Sequence, residues 1–216
     1  YFSNYIEGTE FMVEEAADIV FRGRLMPQRP ADAHDILGTY QIVANSQEMQ
    51  RVPASAEELI AILKSRHAQL LAGRPEKQPG RFKEQENRAG ETIFVTPELV
   101  VGTLMKGLEP YQALDDPFAR AIYMMFLVAE VHPYTDGNGR MARVMMNAEL
   151  VHTERCRVII PTVYREDYLL ALRALTRQGD AEPYIRMLDR AQEYTAQIDF
   201  NDYERASAQF RESGAF

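Results

Sequence analysis

The segment that most constrains the fold of this chain lies at residues 117–131. Its sequence, PFARAIYMMFLVAEV, places apolar side chains almost all the way round a helix and leaves little polar face. A helix of this kind is buried, so other elements must surround it. The longest apolar run within it, residues 121–129, is far too short to cross a bilayer. The sequence therefore predicts the central helix of a globular domain.

Most of the remaining chain also carries helical signals. Residues 92–95 (TIFV) are β-prone and lie between Gly90 and Pro97, which predicts a short hairpin arm. Residues 73–91 are polar and broken by glycine and proline, which predicts a long loop. His34 and His67 lie in polar helical surroundings and are predicted to be exposed. The fold class is thus all-α with one small β-hairpin, and further helices are predicted over residues 3–8, 10–21, 32–49, 55–73, 97–108, 139–152, 166–178, 183–197 and 203–212.

Charge and cysteine usage exclude several classes of protein. The 216 residues carry a net charge of −8 and show no basic patch or tail. This balance argues against a general nucleic-acid or membrane-surface binder. The single cysteine rules out an internal disulfide and is compatible with a reducing compartment, so a cytoplasmic location is expected.

A dense motif, HPYTDGNGRMAR, follows the central helix at residues 132–143. Its two glycines let the backbone approach a ligand closely, and free N–H groups at the start of the next helix favour an anion. Arg140 and Arg143 lie three residues apart on that helix, near its positive end. Guanidinium groups beside a glycine-lined helix start indicate a polyphosphate site.

Two further motif residues suit phosphate chemistry. Asp136 offers a hard oxygen ligand for Mg²⁺, and His132 has the side chain best suited to act as a general base near neutral pH. Each element alone is more often structural, as a turn, a helix cap or a surface ion pair. Together, so many specified positions within twelve residues are very unlikely to coincide by chance, which favours the functional interpretation.

The motif resembles that of the Fic family, and the resemblance extends over nearly the whole chain, including QGDAEPYIRML at residues 178–188. The resemblance implies a helical Fic fold and an enzyme that moves AMP from ATP to a Tyr, Thr or Ser hydroxyl of a target protein. His132 would deprotonate that hydroxyl, and Asp136 would hold Mg²⁺ at the α- and β-phosphates. Family members usually carry Phe where this chain has Tyr134, whose ring is expected to point into the core.

The resemblance also assigns the phosphate contacts. Gly137, Asn138 and Gly139 would form the anion hole. Arg140 and Arg143 would bind the outer phosphates, with Arg143 chiefly at the γ-phosphate.

The hairpin arm resembles the family's flap, which aligns a target segment by strand-like main-chain pairing. The residues concerned are Thr92, Ile93, Phe94 and Val95. A plain edge hairpin packed on the core is an equally good interpretation of this arm.

SNYIEG, at residues 3–8, is similar to the family's inhibitory pattern and would define a class II type, with the inhibitory helix at the N-terminal side. Ser3 and Glu7 are four residues apart and share a helix face. By resemblance, Glu7 would pair with Arg143 and occupy the place of the γ-phosphate; an ordinary Ser–Glu turn is the alternative. The predicted organisation is an inhibitory helix at residues 1–8, a Fic domain at 9–197 (flap about 90–97, catalytic loop 132–143) and a helical extension at 198–216.

Other activities remain open on the same residues. The site is also compatible with removal of AMP, with transfer of another phosphate-containing group, and with a catalytically idle scaffold that binds a protein. The expected small molecules are ATP and Mg²⁺, and the expected partner is a target protein with an acceptor hydroxyl. Self-modification and a homodimer are left open, and neither nucleic acid nor membrane is expected.

Overall fold

The computed structural model describes residues 1–9, 11–24 and 27–216, which are predominantly helical. The prediction of a helical fold with one small hairpin is confirmed. The α-helices are α1 (Phe2–Ile6), α2 (Val13–Arg22), α3 (Pro30–Ala44), α4 (Ser46–Met49), α5 (Ala56–Leu70), α6 (Val100–Gln112), α7 (Pro117–Val131), α8 (Asn138–His152), α9 (Arg165–Gln178), α10 (Glu182–Ala196) and α11 (Tyr203–Glu212). The hairpin consists of β1 (Arg88–Ala89) and β2 (Thr92–Ile93), and short 3₁₀ turns occupy Pro75–Lys77, Pro97–Leu99 and Thr162–Tyr164.

The chain forms two compact units. The central unit comprises residues 14–153, and the terminal unit comprises residues 1–13 together with 154–216. The organisation predicted from the sequence, with bounds at residues 8 and 197, divides the chain differently and stays a prediction. Glu10, where one predicted helix begins, lies outside the described residues, and so do Leu25 and Met26, between the predicted helices at 10–21 and 32–49.

Helix α7 lies in the core of the central unit, as its composition predicts. Its buried residues cover more than half of its circumference, while Tyr123, Phe126 and Glu130 on one side are half-buried. Helix α8 makes the most extensive contact with it. Most of α8 is buried as well, which holds the loop between the two helices at both of its ends. The buried side chains of α7 are Ala121, Ile122, Met124, Met125, Leu127, Val128, Ala129 and Val131.

One predicted helix is divided in two by its own cap. The pattern at residues 32–49 predicts a continuous helix, but Asn45 takes an extended conformation and its side chain accepts a hydrogen bond from the Glu48 N–H at 3.0 Å. That contact begins α4, so the prediction of one helix is wrong at this point. Asparagine competes with the helical backbone in this way because its side chain supplies a local acceptor.

Gly38, which weakens the helical pattern of α3, has a packing role. A Cβ at this position would lie 2.3 Å from the Leu70 carbonyl oxygen, so only glycine lets α3 lie this close to the end of α5.

Ser55 begins α5 as predicted, since its hydroxyl accepts the Glu58 N–H at 3.2 Å.

The terminal unit brings α1 against the C-terminal segment. Phe2 stacks on Phe216 with ring centroids 5.4 Å apart, and it contacts Phe210 of α11 at 5.0 Å. Arg165 at the start of α9 donates from Nε to the Ile6 carbonyl oxygen at 3.0 Å. Helix α1 is therefore tied into this unit by aromatic packing and a main-chain contact.

Candidate active site

The loop at residues 132–137 is closed by its own asparagine. Asn138 Oδ1 accepts the Tyr134 N–H at 2.8 Å, and Asn138 Nδ2 donates to the Tyr134 carbonyl oxygen at 2.7 Å. With the Asn138 side chain buried, this reciprocal pair fixes the loop conformation. The side chain of Asn138 therefore builds the loop, while its main-chain N–H lies in the first turn of α8.

Gly137 begins α8 and has a backbone that other residues adopt only with strain. Its φ is +78°, and a Cβ there would lie 3.2 Å from Leu70 Cδ2. The positive φ favours glycine strongly, and a larger residue would also require the Leu70 side chain to shift by a few tenths of an ångström. The turn leaves the first N–H groups of α8 at a helix N-terminus, where the helix dipole favours an anion.

A stretch of the predicted polar loop binds the main chain of the 132–137 loop. The Lys83 N–H donates to the Pro133 carbonyl oxygen at 2.8 Å, and Asn87 Nδ2 donates to the Tyr134 carbonyl oxygen at 2.9 Å. Lys83 is itself buried, and its Nζ donates to Asn87 Oδ1 at 2.6 Å. Burial lowers the pKa of Lys83 to about 8. The sequence gives no sign of these contacts, because the segment has neither helical nor strand periodicity.

His67 supports the same loop, and the expectation that it is exposed is wrong. Its Nδ1 accepts the Gly80 N–H at 2.9 Å, so its other nitrogen carries the proton and donates to the Asp136 carbonyl oxygen at 3.0 Å. Burial lowers the pKa of His67 to about 4. A neutral histidine therefore holds the main chain at Asp136 from beneath.

Tyr134 is fully buried, as expected from its place in the motif, and its ring stacks on His67 with centroids 3.6 Å apart. Burial raises the pKa of Tyr134 well above that of a free tyrosine. Among the described residues its hydroxyl has no hydrogen-bond partner. The position therefore holds an aromatic ring without making use of the hydroxyl.

Asp136 presents a carboxylate at the start of α8. Its Oδ1 accepts the Gly137 N–H at 2.6 Å and lies 3.3 Å from Arg140 Nη2, and its Oδ2 lies 3.4 Å from Lys77 Nζ. Burial opposes ionisation, but Arg140, the Gly137 N–H and Lys77 outweigh it and lower the pKa of Asp136. With 32% of its side chain exposed, this charged carboxylate is accessible to a divalent cation.

No group of three or more His, Cys, Asp or Glu side chains within the described ranges is arranged to hold a metal ion. A cation at Asp136 would therefore take its remaining ligands from a substrate and from water, which is the usual behaviour of Mg²⁺ beside phosphates. The residues present fit an ion that arrives with a nucleotide.

Arg140 is buried against two carboxylates, and its charge is held close to the loop. Its Nη1 lies 2.7 Å from Asp35 Oδ2, and Arg74 Nη1 lies 3.2 Å from the same oxygen. Despite the 2.7 Å approach, Arg140 Nε and Nη1 have no aligned hydrogen-bond acceptor among the described residues. Both atoms are fully buried in this structure, and the ion pair with Asp35 holds the guanidinium in place. Asp35, Arg74 and Lys77 were not predicted at this site, since they lie far from the motif in sequence.

Arg143 lies one turn further along α8 and is also buried, with 5% of its surface exposed. Gly139, between Asn138 and Arg140, belongs to the first turn of α8. The predicted phosphate-binding residues are thus together on one helix start, but their contact with a nucleotide stays a prediction.

His132 ends α7 in the left-handed conformation, with φ 50°, and its main-chain N–H donates to the Val128 carbonyl oxygen at 3.0 Å. Its Nδ1 lies 3.2 Å from the Ala129 carbonyl oxygen. Because a carbonyl only accepts, Nδ1 carries the proton in the neutral ring, and Nε2 is the basic nitrogen. The imidazole also stacks face to face on Phe94, with centroids 3.7 Å apart and planes 4° from parallel.

The flap is a short antiparallel hairpin in which Arg88 pairs with Ile93 and Ala89 with Thr92. Its β1 strand begins two residues before the predicted start of the flap. Ile93 is 73% exposed, whereas Phe94 and Val95 are half-buried. Docking of a target segment on this arm stays a prediction.

The predicted inhibitory residues belong to the terminal unit. Ser3 is half-buried in α1, and Glu7 is exposed at the C-terminal cap of that helix. Arg143 belongs to the central unit, so the pairing of Glu7 with Arg143 stays a prediction.

The fold and the site define a helical domain built around the buried helices α7 and α8. The loop between them carries His132, and Gly137 leads into the N-terminus of α8. The model of the Fic/DOC family matches residues 55–150, a range that includes the flap and the whole motif. Over these residues the chain is similar to the Fic/DOC family.

Relatives of known name agree with this assignment. The chain is 25% identical over 197 residues to protein adenylyltransferase fic-1 of Caenorhabditis elegans, covering 89% of this chain and 39% of that protein. It is 28% identical over 204 residues to protein adenylyltransferase Fic of Nematostella vectensis, covering 90% of this chain and 46% of the relative. The chain thus spans less than half the length of either relative.

Solved structures show the same fold. The structure of Fic-1 from C. elegans aligns with 99% of this chain and 62% of its own length, at a TM-score of 0.75 and 22% identity. A Fic domain containing signaling protein from Bacteroides thetaiotaomicron aligns with 90% of this chain and 83% of its own, at a TM-score of 0.73 and 18% identity. The predicted Fic fold is confirmed. Within the described residues, no helix is long and apolar enough to cross a membrane.

Proposed function

We propose that this chain transfers AMP from ATP to the hydroxyl of a Tyr, Thr or Ser residue of a target protein and releases pyrophosphate. The arrangement of the 132–143 loop supports this most directly. It places a histidine with a basic Nε2 beside a helix N-terminus that carries Asp136 and Arg140. Relatives named protein adenylyltransferases support the same reaction class.

In the proposed reaction the acceptor oxygen attacks the α-phosphorus, and the bond from that phosphorus to the oxygen bridging to the β-phosphate breaks. The hydroxyl proton passes to His132 Nε2, and pyrophosphate carries the leaving electron pair. A histidine suits the proton transfer because its basic form is available near neutral pH.

The helix start would stabilise the negative charge that develops on the nucleotide. The N–H groups of Asn138 and Gly139 would hold phosphate oxygens, and Arg140 and Arg143 would hold the β- and γ-phosphates that leave. Charge-assisted contacts of this kind, made in a buried site, are stronger than those in water. Asp136 would hold Mg²⁺, which neutralises part of the phosphate charge when it is bound.

We further propose that Glu7 inhibits the reaction by pairing with Arg143, in competition with the γ-phosphate. We propose a cytoplasmic location, because the single cysteine is compatible with a reducing compartment. A homodimer also stays a prediction, and light scattering of the purified chain tests it.

The test compares ATP labelled at the α-phosphate with ATP labelled at the γ-phosphate, using the chain and its Glu7→Gly variant with itself and with cell extract as acceptors. AMP transfer predicts protein-bound label from the α-phosphate alone, lost in His132→Ala. Label from the γ-phosphate would instead show a kinase, and release of AMP from a pre-modified protein would show the reverse reaction. No label from either position would favour the scaffold.

A further inference from the structure

The flap has a main-chain edge that is predicted to pair with a target segment. It also has a side chain, Phe94, that contacts the imidazole of His132, the proposed general base. Phe94 lies directly after β2, and its ring covers one face of the His132 imidazole, with centroids 3.7 Å apart and planes 4° from parallel. A flat contact of this kind hinders rotation of the imidazole out of its plane. The Nδ1 contact with the Ala129 carbonyl oxygen holds the same ring at its edge.

The position of Phe94 is itself fixed to the catalytic loop. The Phe94 N–H donates to the Asn87 carbonyl oxygen at 3.2 Å, and the Asn87 side chain donates to the Tyr134 carbonyl oxygen at 2.9 Å. Asn87 therefore joins the base of the flap to the loop that carries His132. The flap and the loop that carries His132 are therefore held together by hydrogen bonds, and the Phe94–His132 stack lies between them.

We propose that Phe94 is a positioning residue for His132, which holds the imidazole with Nε2 directed to the acceptor hydroxyl and stabilises the ring once it is protonated. This inference rests on the proposed function of His132 as general base. An imidazolium formed by proton transfer gains a cation–π contact with the Phe94 face, and a neutral imidazole gains less. Phe94 thereby favours the state that follows proton transfer.

This role differs from the docking of a target by the flap. Ile93, the neighbouring residue, is 73% exposed and is the better candidate for contact with a target segment. Removing the Ile93 side chain should raise KM for the target protein. Removing the Phe94 ring should instead lower kcat and leave KM for ATP unchanged.

The first experiment is NMR spectroscopy of the full chain with labelled histidine, which needs no activity. The signals of His132 are identified by their loss in His132→Ala. In Phe94→Leu they should lose the ring-current shift that a stacked phenyl ring imposes, and in Phe94→Tyr they should keep it. Ile93→Ala is the matched control and should leave them unchanged. Unchanged His132 signals in a folded Phe94→Leu protein would overturn the stack and with it the proposal, whatever the enzyme does.

The second experiment measures transfer in the same variants. Phe94→Leu should lower kcat between about twofold and thirtyfold, the range of a cation–π contact, while Phe94→Tyr restores the rate. The acid limb of its pH–rate profile should also move to lower pH, because the protonated ring is less stabilised. A change in KM for the target alone, with kcat and the pH profile as in the wild type, would overturn the positioning role and assign Phe94 to docking.

Discussion

Some residues of the motif build the loop, and others are proposed to bind the substrate. The side chain of Asn138 is used by the loop itself, because both of its polar atoms bind the main chain of Tyr134. Asp136 and Arg140 also bind each other at 3.3 Å. A bound cation would compete for the Asp136 carboxylate, and a nucleotide phosphate would compete for the Arg140 guanidinium. The ion pair therefore holds both side chains at the site until such a ligand replaces it.

The hydroxyl of Tyr134 provides a test of the buried ring. It has no hydrogen-bond partner among the described residues, so Tyr134→Phe should leave the free energy of unfolding unchanged or raise it. Tyr111→Phe is the matched control, because the Tyr111 hydroxyl donates to Glu149 at 2.9 Å and accepts from Arg120 at 2.7 Å. That variant should lose about 1–3 kcal/mol in urea unfolding. A comparable loss in Tyr134→Phe would show that its hydroxyl is bonded.

Asp136→Ala tests the proposed metal ligand. The variant should stay folded but need much more Mg²⁺ for transfer, since the cation loses its protein carboxylate. Activity is titrated against Mg²⁺, with Asp115→Ala, an exposed carboxylate on another loop, as the control. The assignment is wrong if a structure with ATP and Mg²⁺ shows the ion held without Asp136.

Elements were more predictable than the contacts between them. The helices follow from hydrophobic periodicity and from caps such as Ser55, which are local properties of the sequence. The contacts of Lys83 and Asn87 with the 132–137 loop could not be predicted, because polar side chains in a loop carry no periodicity to identify their partners. His67, Asp35, Arg74 and Lys77 could not be predicted at the site because they lie far from the motif in sequence. The motif residues could be predicted because they lie within twelve consecutive positions.

Support of the loop by a neutral His67 predicts a pH dependence of stability. The folded pKa of about 4 lies below the unfolded value of 6.5. The unfolded chain therefore binds a proton first, so this stability is present above pH 6.5 and is lost as the pH falls towards 4. The shift corresponds to about 3 kcal/mol at most.

The measurement is urea unfolding from pH 7 to pH 4 for the wild type, His67→Gln and His34→Gln. The stability difference between the wild type and His67→Gln should narrow as the pH falls. His34→Gln, at a half-buried position, serves as the control for a histidine substitution away from the loop. A constant difference between the wild type and His67→Gln would contradict a neutral His67.

At the scale of the whole molecule, the proposed inhibitor and the proposed catalyst belong to different compact units. Helix α1 is anchored by Phe2 and by Arg165 in the terminal unit, whereas Arg143 belongs to the central unit. Regulation through Glu7 would therefore require the terminal unit to hold α1 in an inhibitory position.

Glu7→Gly should raise self-modification and tighten ATP binding by about tenfold or more, the value of a charge-assisted hydrogen bond removed from competition. Glu212→Gly, at an exposed position at the end of α11, is the control and should change neither. Arg143→Ala should not be rescued by Glu7→Gly, because the γ-phosphate needs the freed arginine. Equal activity and ATP affinity in wild type and Glu7→Gly would leave SNYIEG as an ordinary helix end.

In the proposed reaction His132 serves the nucleophile, and the start of α8 serves the phosphates. The most direct measurement determines ATP affinity by calorimetry and the rate of AMP transfer in the same preparation of His132→Ala, in the Glu7→Gly background. The account predicts that the rate falls by about 10²–10⁴ while ATP affinity stays at the parent value. A folded His132→Ala protein that transfers AMP at the parent rate, or that loses ATP binding together with transfer, would contradict it.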